Sequence, residues 1–132
     1  MSKKIILAET AGVCFGVERA LKKSYEVTDK SEEDVYSLGP IIHNPQVVRH
    51  LEEKGVKVID KFEDAPGGTV MIRAHGVPLG TLSVAKERGL NVIDLTCPIV
   101  KKLQRSVKKL AEEGYFIVIV GDKKHPEIIG AR

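Results

Sequence analysis

Short apolar runs alternate with amphipathic stretches along the whole chain, and this alternation limits the possible folds more than any other feature. Short apolar runs indicate strands, and apolar residues spaced by three and four indicate helices. Strands are predicted at residues 4–8, 34–39, 56–59, 69–73, 91–96 and 115–120. Helices are predicted at residues 17–30, 45–54, 78–88 and 98–113. Regular alternation of this kind predicts an α/β fold with a mostly parallel sheet and right-handed connections.

The stretch NVIDLTCPIV, residues 91–100, shows the transition from strand to helix most clearly. Its apolar run ends at Cys97, and Pro98 follows, a residue favoured at the first position of a helix. Cys97 would then lie at a helix N-terminus, where unpaired N–H groups favour a thiolate. Cys14 lies in a similar glycine-containing loop before helix 17–30. A thiolate at either position is a nucleophile or a metal ligand.

Five cysteine and histidine residues each follow a predicted strand, and proline comes within three residues after four of them. The five are Cys14, His43, His75, Cys97 and His125. In a parallel α/β sheet, ligands bind outside the carboxyl ends of the strands. We therefore expect all five side chains to lie at one edge of the sheet. His50, inside helix 45–54, is expected to be a surface or packing residue.

Taken singly, each of these residues has a simpler interpretation. Cysteine is often a core residue, and a single loop histidine usually serves only hydrogen bonding. Three chemistries fit the five together. A zinc site would use two cysteines and two histidines, without the short paired spacings of zinc fingers. A cysteine nucleophile with a histidine base would leave one cysteine unused. An iron–sulfur cluster beside an anion site would use every residue but needs more than two cysteines.

Composition and charge narrow the class of protein. The 132 residues suit one globular domain, and the net charge of +3 includes no basic cluster interleaved with aromatic residues. Nucleic acid is therefore not an expected partner. The first apolar run is too short for a signal peptide or a membrane span, so we expect a cytoplasmic protein without a membrane partner. Two cysteines in a reducing compartment are expected to be ligands or reactive thiols rather than a disulfide.

Five strings of the sequence resemble the LytB/IspH family of 4-hydroxy-3-methylbut-2-enyl diphosphate reductases. They are AGVCFGVERAL (residues 11–21), GPIIHNPQVV (39–48), RAHGVP (73–78), DLTCPIVKK (94–102) and GDKKHPEIIG (121–130). The resemblance implies reductive dehydroxylation of this allylic diphosphate to isopentenyl diphosphate and dimethylallyl diphosphate, the last step of the non-mevalonate isoprenoid pathway. The alternative function is a non-catalytic module that binds zinc or another metal and mediates interactions.

The resemblance also implies a fold, a cofactor and roles for individual residues. The family has three similar α/β units around a [4Fe–4S] cluster held by three cysteines, with one iron open to the substrate. A ferredoxin or flavodoxin would supply the electrons. By motif match, Cys14 and Cys97 are two cluster ligands, and Glu127 is the acid of the proton relay. The diphosphate-binding histidines of the family match His43, His75 and His125.

The chain departs from the family pattern in lacking a third cysteine. We therefore expect an N-terminal part of a longer protein, with residues 1–97 as the first α/β unit and residues 98–132 as a truncated second unit. The isolated chain is expected to be inactive. The predicted strand at residues 115–120 is expected to leave apolar surface exposed, because its downstream neighbours would be missing.

Overall fold

Four parallel strands form the centre of the structure, a computed structural model that describes residues 3–78 and 80–132. The strands are β1 (Val35–Leu38), β2 (Lys57–Ile59), β3 (Thr69–Ile72) and β4 (Asn91–Asp94), in the spatial order β2-β1-β3-β4. The helices are α1 (Phe15–Lys30), α2 (Pro45–Glu53), α3 (Thr81–Glu87), α4 (Pro98–Glu112) and α5 (Pro126–Gly130). The predicted α/β class and parallel sheet are confirmed.

Apolar side chains cover both faces of the sheet, as expected when connecting helices pack on each side of parallel strands. Every residue of β1 and β3 is buried. Val70 and Ile72 of β3 belong to one apolar cluster, and Met71 belongs to another. Ala85 of α3 lies in the first cluster, whereas Ala20 of α1 lies in the second. The two central strands are therefore enclosed by apolar side chains on both faces.

The direction of the connections reverses between β1 and β3, because the chain passes from β1 to β2 on one side and then to β3 on the other. In open α/β sheets, ligands bind at the carboxyl ends of the strands beside such a switch point. The loop after β1 carries His43, and the loop after β3 carries His75. The two loops are joined by a hydrogen bond of 3.1 Å from Ala74 N to Ile41 O.

Proline is the first residue of α2 and α4, as predicted, and also of α5, a short helix that the sequence pattern did not predict. Asn44 caps α2, and its side-chain oxygen accepts hydrogen bonds of 3.0 and 3.3 Å from two backbone N–H groups of the first turn. The prediction that a helix begins at Pro78 is wrong, because α3 begins at Thr81. The carbonyl of Pro78 accepts a hydrogen bond from Thr81 N in a turn ahead of that helix. Leu79 lies outside the described residues.

Two predicted strands, residues 4–8 and 115–120, are not part of the sheet. A strand forms only where a neighbouring backbone satisfies its N–H and C=O groups, and the described part of the chain aligns no such neighbour with either segment. Ile5 and Phe116 are each 93% exposed, and Val120 is 92% exposed. The strand predictions are wrong here, whereas the expected exposure of apolar surface at residues 115–120 is observed.

Helix α4 buries a different face from the one that its sequence pattern predicts. The predicted inner residues are Ile99, Leu103, Val107, Leu110 and Ala111. The structure instead buries Val100 and Gln104, and Ile99 is 72% exposed. The reason is that the loop after β3 packs against this neighbouring side of the helix, where the Gln104 amide reaches the carbonyl of Val77.

Candidate functional site

Three of the four histidines meet at the carboxyl edge of the sheet. The ring centroids of His43 and His75 are 4.2 Å apart, and the ring of His125 lies 6.3 and 6.0 Å from them. The rings come from three separate loops, so their proximity is produced by the fold and not by sequence spacing. His50 lies elsewhere, on α2, with its Nδ1 3.2 Å from the hydroxyl of Tyr25.

His75 is the most enclosed of the three histidines. Its Nδ1 is buried and has no hydrogen-bond partner among the described residues. Burial lowers the pKa of His75 to about 4, and electrostatic interactions with His43, Arg73 and His125 contribute to the shift. The ring is therefore neutral at neutral pH. Buried polar atoms without a partner are rare in native proteins and require an explanation. A ligand that forms a hydrogen bond with this nitrogen would provide one.

The lowered pKa of His75 predicts that the chain loses stability on acidification. The unfolded chain takes up a proton near the ordinary pKa of 6.5, but the folded chain does so only near 4. Stability is therefore fully present above pH 6.5 and falls progressively as the pH drops toward 4. Urea unfolding at a series of pH values should show this fall, and a His75→Gln chain should show a shallower one. Parallel pH profiles for the two chains would contradict the prediction.

His125 is held by the helix that it precedes. It is the N-cap of α5, and its Nδ1 accepts a hydrogen bond of 3.3 Å from the backbone N–H of Glu127. A ring nitrogen that accepts carries no proton, so the N–H group that this geometry leaves for a ligand is on Nε2. His125 can therefore donate from Nε2 to a ligand. Glu127 is half-buried in the first turn of the same helix, two residues from this ring.

Both cysteines occupy helix N-cap positions, Cys14 at α1 and Cys97 at α4, and neither forms a disulfide. A β-carbon added to Gly16 would lie 2.6 Å from the Cys97 sulfur. The Cys97 sulfur therefore packs directly on the first turn of α1, the helix that Cys14 begins. Helix N-termini favour the thiolate form of cysteine. The structure thus brings the Cys97 thiol against the helix that begins after Cys14, although the two cysteines are far apart in the sequence.

The string DLTCPIVKK places Cys97 through several contacts of its own residues. The Asp94 carboxylate accepts a hydrogen bond of 2.9 Å from Thr96 N and lies 2.7 Å from the Lys101 ammonium. Burial alone would raise the pKa of Asp94, but hydrogen bonds from Lys101 and Thr96 outweigh it and hold the pKa below its usual value. Cys97 N donates to Ala74 O at 2.9 Å. Cys97 is therefore anchored both to α4 and to the His75 loop.

Gly16 leaves the room that the Cys97 sulfur occupies, so Gly16→Ala should disturb it. We expect a loss of about 1–3 kcal/mol in the free energy of unfolding, because the added methyl overlaps a packed atom. Displacement of the sulfur should also change the rate at which Cys97 reacts with a chromogenic disulfide reagent. Gly80→Ala is the matched control, since a β-carbon there meets no atom within 4 Å. Equal stability and thiol reactivity in both variants would refute this placement of the sulfur.

Sequence reasoning missed two polar residues that shape the site. Arg73 lies over Gly39, where an added β-carbon would be 2.8 Å from its Nη1, and burial lowers its pKa below the ordinary value. Its charge lies close enough to His75 to affect that ring. The second residue is Gln104, a polar residue four positions after Val100 on the buried side of α4. The spacing of four residues from Val100, which places Gln104 on the same side of the helix, was the signal in the sequence that could have identified it.

The donor atoms fit the implied iron–sulfur cluster in part. Thiolates are the usual cluster ligands, and Cys14 and Cys97 stand at the N-cap positions of α1 and α4, but the chain has no third cysteine. Within residues 3–78 and 80–132, no group of three or more His, Cys, Asp or Glu side chains could hold a metal ion. The zinc site of two cysteines and two histidines is therefore not formed by the described residues.

No helix described here is long and apolar enough to cross a membrane.

A parallel α/β unit with histidines at its switch point and cysteines at the N-cap positions of two helices defines a class of domain with a polar site at the carboxyl edge of its sheet. Comparison with known proteins then identifies the family. The sequence model of the LytB protein family matches residues 5–132, and the chain belongs to that family.

Several curated proteins of similar sequence are named as diphosphate reductases. The 4-hydroxy-3-methylbut-2-enyl diphosphate reductase of Syntrophotalea carbinolica is 51% identical over 127 residues, which cover 96% of this chain and 45% of the relative. The enzyme of that name from Aquifex aeolicus is 51% identical over 126 residues, covering 96% and 44%. The chain therefore spans about half the length of the curated relatives that it matches.

Solved structures of such reductases share the fold. One, of (E)-4-hydroxy-3-methyl-but-2-enyl diphosphate reductase, the terminal enzyme of the non-mevalonate pathway, is 49% identical with a TM-score of 0.82. The match covers 96% of this chain and 45% of that protein. The Plasmodium falciparum E-1-hydroxy-2-methyl-but-2-enyl-4-diphosphate reductase is 35% identical with a TM-score of 0.89, over 93% of this chain and 39% of its own.

Proposed function

We propose that this chain is the N-terminal, diphosphate-binding part of a 4-hydroxy-3-methylbut-2-enyl diphosphate reductase, which forms isopentenyl diphosphate and dimethylallyl diphosphate. The observation that carries the proposal is the convergence of His43, His75 and His125 at the switch point of the sheet. In this proposal the first α/β unit ends at residue 97. The proposal also places the protein in the cytoplasm, without nucleic acid or membrane as partner.

The three histidines provide the donors that a diphosphate requires. A diphosphate carries about three negative charges at neutral pH, and charge-assisted hydrogen bonds to such oxygens are about twice as strong as neutral ones. His125 can donate from Nε2, and Arg73 adds positive charge beside His75. A bound anion would offset the electrostatic interactions that now help to lower the pKa of His75. Burial is the larger cause of the lowered pKa and would remain, so we propose that His75 donates a hydrogen bond to the diphosphate as a neutral ring.

The cysteines and Glu127 complete the proposed site. Cys14 and Cys97 would supply two of the three thiolates for a [4Fe–4S] cluster, which would pass on electrons from a ferredoxin or flavodoxin and provide a Lewis-acidic iron. The hydroxyl that leaves the substrate must be protonated, which calls for a carboxylic acid within reach. Glu127 is proposed for this role because it is half-buried and adjoins His125.

Titration with inorganic pyrophosphate tests the binding site in the chain as it stands. The ring-proton NMR signals of His43, His75 and His125 should shift together and give a single dissociation constant. His50 is an internal control, because it contacts Tyr25 outside the cluster and should not respond. Unchanged signals of the three clustered rings, or an equal shift of His50, would contradict the proposal.

Anaerobic reconstitution with iron and sulfide tests the thiolate assignment. Alone, the chain should neither hold a stoichiometric [4Fe–4S] cluster nor turn over substrate, because a third thiolate is missing. Addition of the remaining part of a LytB-family reductase as a separate polypeptide should allow the cluster to form and turn the protein brown. Cys97→Ser should prevent this colour change. A stable stoichiometric cluster in the chain alone would overturn the assignment. A colourless protein that binds zinc tightly would favour the alternative metal-binding module.

A further inference from the structure

Gln104 is a polar residue on the buried side of α4. Its side chain is 6% exposed, and its Nε2 donates a hydrogen bond of 3.3 Å to the carbonyl of Val77. Val77 follows His75 by two residues. The amide of Gln104 therefore holds the loop that carries the most enclosed histidine of the cluster.

The same amide nitrogen also lies against α5. A β-carbon added to Gly130 would be 2.7 Å from Gln104 Nε2, and one added to Gly76 would be 3.1 Å from it. Gly76 is next to His75, and Gly130 ends the five-residue helix that His125 caps. One side-chain amide thus fills the space between the His75 loop and the helix of His125.

We propose that Gln104 is a positioning residue of the diphosphate site, which sets the separation of the His75 and His125 rings. These rings are 6.0 Å apart, and the loop and helix that carry them both pack on the Gln104 amide. Gln104 also lies two turns after Cys97 in α4, so one rigid helix relates the thiol to the histidine pair. This inference rests on the proposed function, in which the histidines bind diphosphate.

Gln104→Met tests the inference, because it preserves length and approximate volume but removes the donor to Val77 O. We expect the nuclear Overhauser contact between the rings of His75 and His125 to weaken. The affinity for inorganic pyrophosphate should fall about tenfold, since a buried carbonyl loses its partner and the loop shifts. Ser106→Met, at an exposed position of the same helix, is the control and should change neither quantity. Gln104→Glu also replaces the donor by an acceptor, and it serves as the second variant if the methionine chain does not fold.

A double-mutant cycle separates positioning from general packing. Gly130→Ala should weaken pyrophosphate binding in the parent chain, because the new methyl displaces the Gln104 amide. In a Gln104→Ala chain the obstructed group is gone, so Gly130→Ala should have no further effect. Additive losses in the double variant would overturn the inference.

The two proposals fail in different ways. Absence of pyrophosphate binding by the parent chain would overturn the proposed function, but the ring-to-ring contact would still report on Gln104. An unchanged ring contact in the folded Gln104 variants would overturn the positioning role by itself. Binding in the parent chain, with equal binding in the variants, would do the same.

Discussion

Replacement of His75 by alanine is expected to weaken the binding of inorganic pyrophosphate by roughly ten- to hundredfold. The physical reason is the loss of one hydrogen bond to a charged group, worth about 1.5–3 kcal/mol, where about 1.4 kcal/mol corresponds to a tenfold change in affinity. His75 should have the largest effect of the three histidines, because its ring is the most enclosed and lies only 4.2 Å from that of His43. A hydrogen bond made away from water is stronger than an exposed one.

Isothermal titration calorimetry of the parent and variant chains measures this change in affinity. His50→Ala is the matched control, because it removes the same side chain from a place outside the cluster. His75→Gln should recover part of the affinity, since its amide can donate a hydrogen bond from a similar position. Equal affinities of the His75→Ala and His50→Ala chains would remove the basis for a histidine-lined diphosphate site.

Gly68→Ala should cause the largest loss of stability among the glycine substitutions, about 2–5 kcal/mol. Gly68 has a φ of +88°, which L side chains rarely adopt, and an added β-carbon would overlap the backbone carbonyl of Asp34. Backbone atoms cannot move aside as a flexible side chain can. The Asp34 carbonyl accepts a hydrogen bond of 3.0 Å from Thr69 N, and Gly68 O accepts one of 3.1 Å from Asn91 N. The substitution therefore disturbs the point at which β1, β3 and β4 begin to pair.

Urea unfolding of Gly68→Ala and Gly67→Ala gives a comparison at adjacent positions. A β-carbon at Gly67 meets no atom within 4 Å, and its φ is not positive. We expect Gly67→Ala to change the free energy of unfolding by less than about 1 kcal/mol. If the two variants were equally stable, the close approach of Gly68 to Asp34 in this fold would be incorrect.

The parts of the fold that local signals determine could be predicted from the sequence. Pro45 and Pro98 correctly marked the starts of α2 and α4. Residues 4–8 and 115–120 are apolar runs like those that become strands, but they form no strand. Propensity describes one segment, whereas a strand also needs a second backbone beside it, and sequence patterns do not say whether that backbone is present.

The sequence predicted the edge of the sheet at which the candidate site lies, but not which side chains contact one another there. Alternation of strands and helices places His43 and His75 at the carboxyl ends of strands, but it does not give the strand order. The order β2-β1-β3-β4 makes the two loops neighbours at the switch point. The roles of Gln104 and Arg73 depend on contacts between distant segments, such as the hydrogen bond from Gln104 to Val77. No spacing rule contains that information.

The two sides of the histidine cluster have unequal support, and this has a thermodynamic consequence. His43 and His75 follow β1 and β3, which are buried along their whole length, so their positions are largely set before any ligand arrives. His125 follows residues 115–120, which pair with no strand among the described residues. The conformational entropy lost when an anion binds should therefore come mainly from the His125 side. Stiffening of that side alone, without any new contact to the ligand, would raise affinity.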